Sequence, residues 1–136
     1  MKRQLLTVLL CALLLAAVGC GQTDEGQTMS FYYRVVDDQV YDTNDVIQPE
    51  SRKVDPDLSL EQLLTLYLAG PESAQYTSPF PRDTAVESVQ QTETCVEVVL
   101  SAEFSQLSGI NRTIAEGCLT MTLDQLDGVE TVEVYV

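Results

Sequence analysis

The chain changes character at Cys20. Before it lie Lys2 and Arg3, then Leu5–Gly19 without one charged side chain; after it lie all 21 acidic residues and only five basic ones, Arg34, Arg52, Lys53, Arg82 and Arg112. The near-neutral mean hydropathy of +0.02 thus averages an apolar leader with an acidic remainder, whose five basic and 21 acidic residues give a net charge of −16. That remainder has to supply the core, and the 117 residues from Cys20 onward suit one ordinary domain. A surface this acidic repels phosphate backbones, whose binding rests on cationic contacts, so no nucleic-acid partner is expected. The sequence has no His and no Trp. His-based acid–base chemistry, Ser-His-Asp and Cys-His sites and most zinc centres are thereby excluded. Its seven glycines are scattered and form no phosphate-cradling loop. No cofactor, no metal and no catalytic residue is expected, and the composition points away from an enzyme.

The leader has the parts of an export signal. Lys2-Arg3 is the positive region, Leu5–Ala16 the apolar region, and Ala17-Val18-Gly19 the small residues that a signal peptidase admits. Cys20 directly after them resembles the bacterial lipobox, in which the thiol receives diacylglycerol, with palmitate among the acyl groups, and becomes the new N-terminus. A retained span is the poorer account, because fifteen residues from Leu5 to Gly19 reach only about 22 Å as a helix against a hydrocarbon core of about 30 Å. Cys11 leaves with the leader. Residues 1–19 are therefore expected as a lipoprotein signal peptide, 20–28 as a lipidated cysteine and polar tether, and 29–136 as the domain. The expected location is the extracytoplasmic face of the cell membrane.

Within the domain, hydrophobic periodicity switches between two and 3.6. Met29–Val36 is aromatic and β-branched and reads as a strand; Gln39–Asp42 and Ile47–Val54 read as short extended pieces about the turn-prone Asp42–Asp45. Ser59 with Gln62 forms a capping box ahead of Leu60, Leu63, Leu64, Tyr67 and Leu68, and Gly70-Pro71 ends that helix. Ser78-Pro79-Phe80-Pro81 is a stiff extended loop. Ala85–Gln90 and Cys95–Ser101 predict a hairpin, with Val96, Val98 and Leu100 on one face and Cys95, Glu97 and Val99 on the other. Phe104 and Leu107 are expected to plug the loop that follows. Asn111–Leu126 predicts a second helix with Ala115, Cys118, Leu119, Thr122 and Leu126 on one side, and Val129–Val136 a last strand. The order β-(β)-α-β-β-α-β predicts an α+β fold, a small, mostly antiparallel sheet with two helices packed on one face.

Candidate site residues are few. Cys95 and Cys118 read first as a disulfide outside the cytoplasm, although Cys95 alternates away from the face that a helix would cover; two buried free thiols are the other reading. Asp37, Asp38, Asp42 and Asp45 cluster without the spacing of a calcium loop, so a solvated turn accounts for them. Glu97 with Glu103, or Glu87 with Glu93, are the carboxylate pairs an acidic chain offers by chance. Asn111-Arg112-Thr113 matches a glycosylation sequon but starts a predicted helix, where capping explains it. Phe31 and Tyr33 share one strand face and Tyr32 takes the other, so a single aromatic platform for sugars is not implied. Ser78, Pro79, Phe80 and Pro81, together with open strand edges, are the candidate interaction surface.

Four segments carry a resemblance. Leu66–Val89 (LYLAGPESAQYTSPFPRDTAVESV), Val98–Gly109 (VVLSAEFSQLSG), Cys118–Val136 (CLTMTLDQLDGVETVEVYV) and the upstream Phe31-Tyr32-Tyr33 with Ile47–Val54 are similar, in this order, to GerM domains. The resemblance spans Phe31–Val136. It implies a small fold akin to ring-building motifs and an envelope lipoprotein linked to sporulation or spore germination. It implies no enzyme and carries over no catalytic residue. This chain has one such unit where many relatives have two, and Val99 where Asp is frequent. The expected function is a non-enzymatic protein–protein interaction or assembly module of the envelope, with envelope proteins as partners, self-association among its options, and the membrane reached through the lipid. The competing expectation is a lipoprotein that binds a cell-wall glycan, a peptide or a divalent cation.

Overall fold

A computed structural model describes residues 26–36 and 45–136. The leader, Cys11, Cys20, residues 21–25, the piece Gln39–Asp42, and Asp37, Asp38, Tyr41 and Asp42 lie outside the described residues. Strand β1 (Gln27–Val35) starts two residues earlier than the aromatic run suggests. Gln27 and Thr28, assigned by sequence to the tether, pair with Val54 and Lys53. Strand β2 (Ile47–Val54) and helix α1 (Leu60–Leu68) have the expected bounds. Helix α1 is fixed locally at both ends. The Ser59 hydroxyl accepts from the Gln62 amide while the Gln62 side chain accepts from the Ser59 amide, which satisfies two of the donors that a helix start leaves unpaired. At the other end Gly70 takes φ 100°, a conformation that side-chain-bearing residues rarely adopt.

After α1 come β3 (Tyr76–Thr77), β4 (Val86–Thr92), β5 (Cys95–Leu100), a 3-10 turn (Ala102–Gln106), helix α2 (Gly109–Leu123) and β6 (Thr131–Tyr135). The β4–β5 hairpin turns through Glu93-Thr94 alone, a tighter connection than Gln91–Thr94. Helix α2 stops three residues before Leu126, and a hydrogen-bonded turn carries Leu126 back onto the core.

The α+β class stands, but the single sheet does not. The strands form two three-stranded sheets, ordered β2-β1-β3 and β4-β5-β6. In the first all pairing is antiparallel. In the second β6 runs parallel to β5, because a helix stands between them and returns the chain in the same direction. Both helices pack on the β4-β5-β6 sheet, α1 on β4 and α2 on β6, and α2 also packs on β1 of the other sheet. One core joins them, with Phe31, Tyr33, Leu64, Tyr67, Val96, Val98, Leu100, Phe104 and Leu119 at or near complete burial.

The reason the sheets stay separate lies on the second edge of β1. Odd residues of β1 face β2, as Val35 N–H donating to the Val46 carbonyl shows (2.9 Å). The backbone of Ser30 and Tyr32 therefore faces away from β2, where β3 is too short to reach. Side chains take the place of a strand there. The Ser30 N–H donates to Gln125 Oε1 (3.0 Å) and Gln125 Nε2 donates to the Ser30 carbonyl. The Tyr32 N–H donates to Thr122 Oγ1 (3.1 Å), and the Tyr67 hydroxyl donates to the Tyr32 carbonyl (2.8 Å). Buried backbone groups left unpaired would cost free energy comparable to a lost hydrogen bond. Thr122→Val keeps the shape but leaves the Tyr32 N–H without its acceptor. It should lower stability by about 1–3 kcal/mol in denaturant unfolding and speed hydrogen exchange at Tyr32; unchanged exchange there would refute the side-chain closure.

Candidate functional site

The most concentrated polar chemistry lies on the inner face of β2. Glu50 and Arg52 alternate onto the buried side with Val54, and their side chains are 9 % and 6 % exposed. Arg52 donates to Glu50 Oε2 (Nε 2.7 Å) and, from its terminal nitrogen, to the Gly70 carbonyl (2.6 Å). Its guanidinium also lies over the rings of Phe31 (5.0 Å) and Tyr33 (5.6 Å), where the ring faces attract a cation. Glu50 accepts from the Ser73 amide (2.7 Å) and the Glu72 amide (3.1 Å). Strand β2 is thus clamped to the chain that leaves α1. Burial by itself raises the Glu50 carboxyl, but the Ser73 and Glu72 amides and the Arg52 guanidinium outweigh it and hold it below its ordinary value. Burial pushes Tyr33 up to about 12, so its hydroxyl stays protonated and donates to the Tyr67 carbonyl (2.9 Å).

All of these groups end on protein partners. The cluster is a brace, and breaking one half of a buried pair strands the other charge. Glu50→Gln should cost about 3–5 kcal/mol. Because the folded protein holds this carboxyl below about 4.5, its contribution is complete above that pH and fades as pH falls through the folded value. The variant should therefore show a shallower loss of stability on acidification than the parent in urea titrations at several pH values. An equal slope would show that Glu50 is not the linked group.

The Ser78–Pro81 loop is closed from within. Phe80 is buried between Tyr67 and Phe104, with ring centroids 5.7 and 6.0 Å away. The Phe80 amide donates to Ser78 Oγ (3.2 Å), and the Thr84 hydroxyl donates to the Pro81 carbonyl (2.8 Å). Ser78, Pro79 and Pro81 remain half-buried at the surface, so Phe80 belongs to the core and not to a contact surface. Ser78 and Pro79 line a groove of about 190 Å³ with Arg34, Leu107, Asn111 and Ile114.

Cys95 and Cys118 are not bridged in this structure. Parity explains it: Val96, Val98 and Leu100 take the buried face of β5, Cys95 takes the other, and Cys118 lies in the core. Burial pushes the Cys118 thiol up to about 12. A thiol reagent should label Cys95 in the native protein and reach Cys118 only after unfolding; a native Cys95–Cys118 bridge in mass analysis would contradict this arrangement.

The carboxylate pairs separate. Glu97 accepts from Gln90 Nε2, whereas the Ser101 hydroxyl and Glu103's own amide hold the Glu103 carboxyl low. Glu87 is exposed on β4 and Glu93 stands in the hairpin turn. Among the described residues no group of three or more potential metal ligands converges. Asn111 sits in the first turn of α2 instead of capping it. Arg112 there ion-pairs with Glu116 (2.8 Å) and lies over Phe104 (5.3 Å). Sequence reasoning missed the Glu50–Arg52 brace; the signal was two opposite charges at alternate positions of a strand whose third member, Val54, is apolar.

Residues 30–136 match the model of the Germane family, described as "Sporulation and spore germination". The chain belongs to the Germane family. No curated protein matches the sequence. Among solved structures, this Germane domain is similar to the first GerMN domain of the sporulation protein GerM from Bacillus subtilis, at 16 % identity and a TM-score of 0.61. That match covers 80 % of this chain and 81 % of the other. It is also similar to the tandem GerMN domains of the same protein, at 15 % identity and a TM-score of 0.61. There 88 % of this chain is covered, and this chain spans 42 % of the tandem. These likenesses carry the fold, and the resemblance seen in the four sequence segments is borne out by the family match.

Proposed function

We propose that this Germane domain is a non-enzymatic assembly module of the cell envelope, held at the extracytoplasmic face of the membrane by a lipid on Cys20 and acting in sporulation or germination through contacts with other envelope proteins. One observation carries the reading. The aromatic and charged side chains best suited to build a ligand pocket are turned inward and end on the protein's own backbone, as Tyr33, Tyr67, Glu50 and Arg52 do. What remains for recognition is sheet edge and sheet face. The rival, a receptor for a cell-wall glycan, a peptide or a divalent cation, would need a lined pocket. The groove at Arg34 and Asn111 holds about 190 Å³, below the roughly 300–1,000 Å³ of ordinary ligand sites, and the larger hollow of about 580 Å³ beside Ser59, Glu61, Gln62 and Thr65 has no aromatic side chain in its lining. Family membership supports the sporulation context, and the leader ending at Cys20 supports the anchor. Among the described residues no helix is long and apolar enough to cross a membrane.

Crosslinking in living cells tests the proposal. Protein neighbours should be captured from photoreactive residues placed around the domain surface. Recovery of glycan without any protein neighbour would replace assembly with the rival.

A further inference from the structure

Five strand edges of this domain can be compared; three are guarded, and a fourth, that of β3, is only two residues long. The second edge of β1 is closed by Gln125, Thr122 and Tyr67. Strand β2 carries Pro49 and Lys53, a residue without a donor and a cation, both of which discourage strand addition. Strand β4 breaks register between Val86 and Ser88, and such irregularities twist an edge away from a newcomer. Strand β6 has none of these. It ends its sheet, contains no Pro, Gly or Lys, and keeps unbroken register with β5 from Thr131 to Tyr135.

The outer face beside that edge has a distinct chemistry. Parallel pairing sets Glu97 directly beside Glu133, a like-charge neighbour pair that destabilises a sheet. Both carboxylates are met only by neutral donors in the described hydrogen bonds, Gln90 for Glu97 and the Tyr135 hydroxyl for Glu133 (2.6 Å). None of the five basic residues beyond Cys20 lies on β4, β5 or β6. Apolar surface adjoins the pair in Tyr135, which is 49 % exposed. Cys95 alternates onto the same face of β5 as Glu97, and burial, then the charges of Glu133 and Glu97, raise its thiol.

We infer that the free edge of β6 receives an extended, Lys- or Arg-bearing segment of a partner envelope protein, which adds as a strand and sets its cations over Glu97 and Glu133. An edge with unpaired donors and acceptors supplies affinity, and alternate side chains supply selectivity. A second copy of this chain is the wrong occupant. Glu133 is the centre of Thr131–Tyr135, so antiparallel pairing of two β6 strands about that centre would set Glu133 against Glu133. This inference rests on the assembly reading and specifies its contact.

The test uses the full chain in neutral detergent and two synthetic peptides, one of alternating lysine and threonine, the other of alternating glutamate and threonine. The lysine peptide should slow hydrogen exchange at the β6 amides, with affinity falling as salt rises. Glu97→Gln combined with Glu133→Gln should weaken it about tenfold, while the same variant melts no lower than the parent because like-charge repulsion is gone. That opposition separates a binding role from a structural one. The inference is overturned if the lysine peptide does not bind, if the glutamate peptide binds equally, if protection falls on β2 or β4, or if the double variant binds unchanged. In cells, a photoreactive residue at position 135 should capture a basic segment of another protein. Capture of a second copy there, or of protein neighbours only from other faces, would overturn this contact and leave the assembly reading standing; absence of protein neighbours at every face would remove both.

Discussion

The architecture depends on how the second edge of β1 is satisfied. A strand flanked by only one full neighbour presents a row of backbone donors and acceptors, and here Tyr67 of α1, Thr122 of α2 and Gln125 of the turn after α2 meet those of Ser30 and Tyr32 instead of a strand. That substitution ends the first sheet, draws α2 against it, and leaves α2 free to cover the second sheet as well. The residues doing this are separated from β1 by as many as 95 positions. The threonine is an ordinary helix residue and the glutamine an ordinary turn residue, and their role exists only once the two elements meet.

The same economy governs the polar interior. Arg52 neutralises Glu50, caps the Gly70 carbonyl at the end of α1 and lies over two aromatic rings. Glu50 in turn gathers the Ser73 and Glu72 amides. Separating an ion pair buried this deeply strands a charge in the interior and is strongly destabilising, which fits a brace between a strand and the segment following a helix. The aromatic rings run from Phe31 and Tyr33 through Tyr67 and Phe80 to Phe104, so the loop that looked most like a contact surface is anchored through its most hydrophobic member. Charge and open backbone remain on the sheets' outer surfaces.

Much of the local structure was legible because its causes are local. Helix α1 could be delimited from Ser59, Gln62 and Gly70-Pro71, since a capping box and a left-handed glycine act within a few residues. Strand β5 was legible from alternation, including the parity that placed Cys95 away from Val96 and Val98. Strand β3 was not, because two residues carry no period and Tyr76 and Thr77 become a strand only beside Val35 and Arg34. The end of α2 was overestimated because Leu126 keeps helical spacing although the chain has already turned.

By itself, the sequence determined the acidic, His-free domain behind Cys20, the α+β class, the strand and helix faces and the family resemblance, because composition, periodicity and capping are properties of neighbours in the chain. Only the tertiary structure decided that there are two sheets, that β6 runs parallel to β5 with Glu133 beside Glu97, and that Phe80, Glu50 and Arg52 lie inside. Those outcomes turn on which distant groups satisfy an exposed backbone edge or a buried charge. Satisfaction of that kind is settled by geometry in space, and no window along the chain contains it.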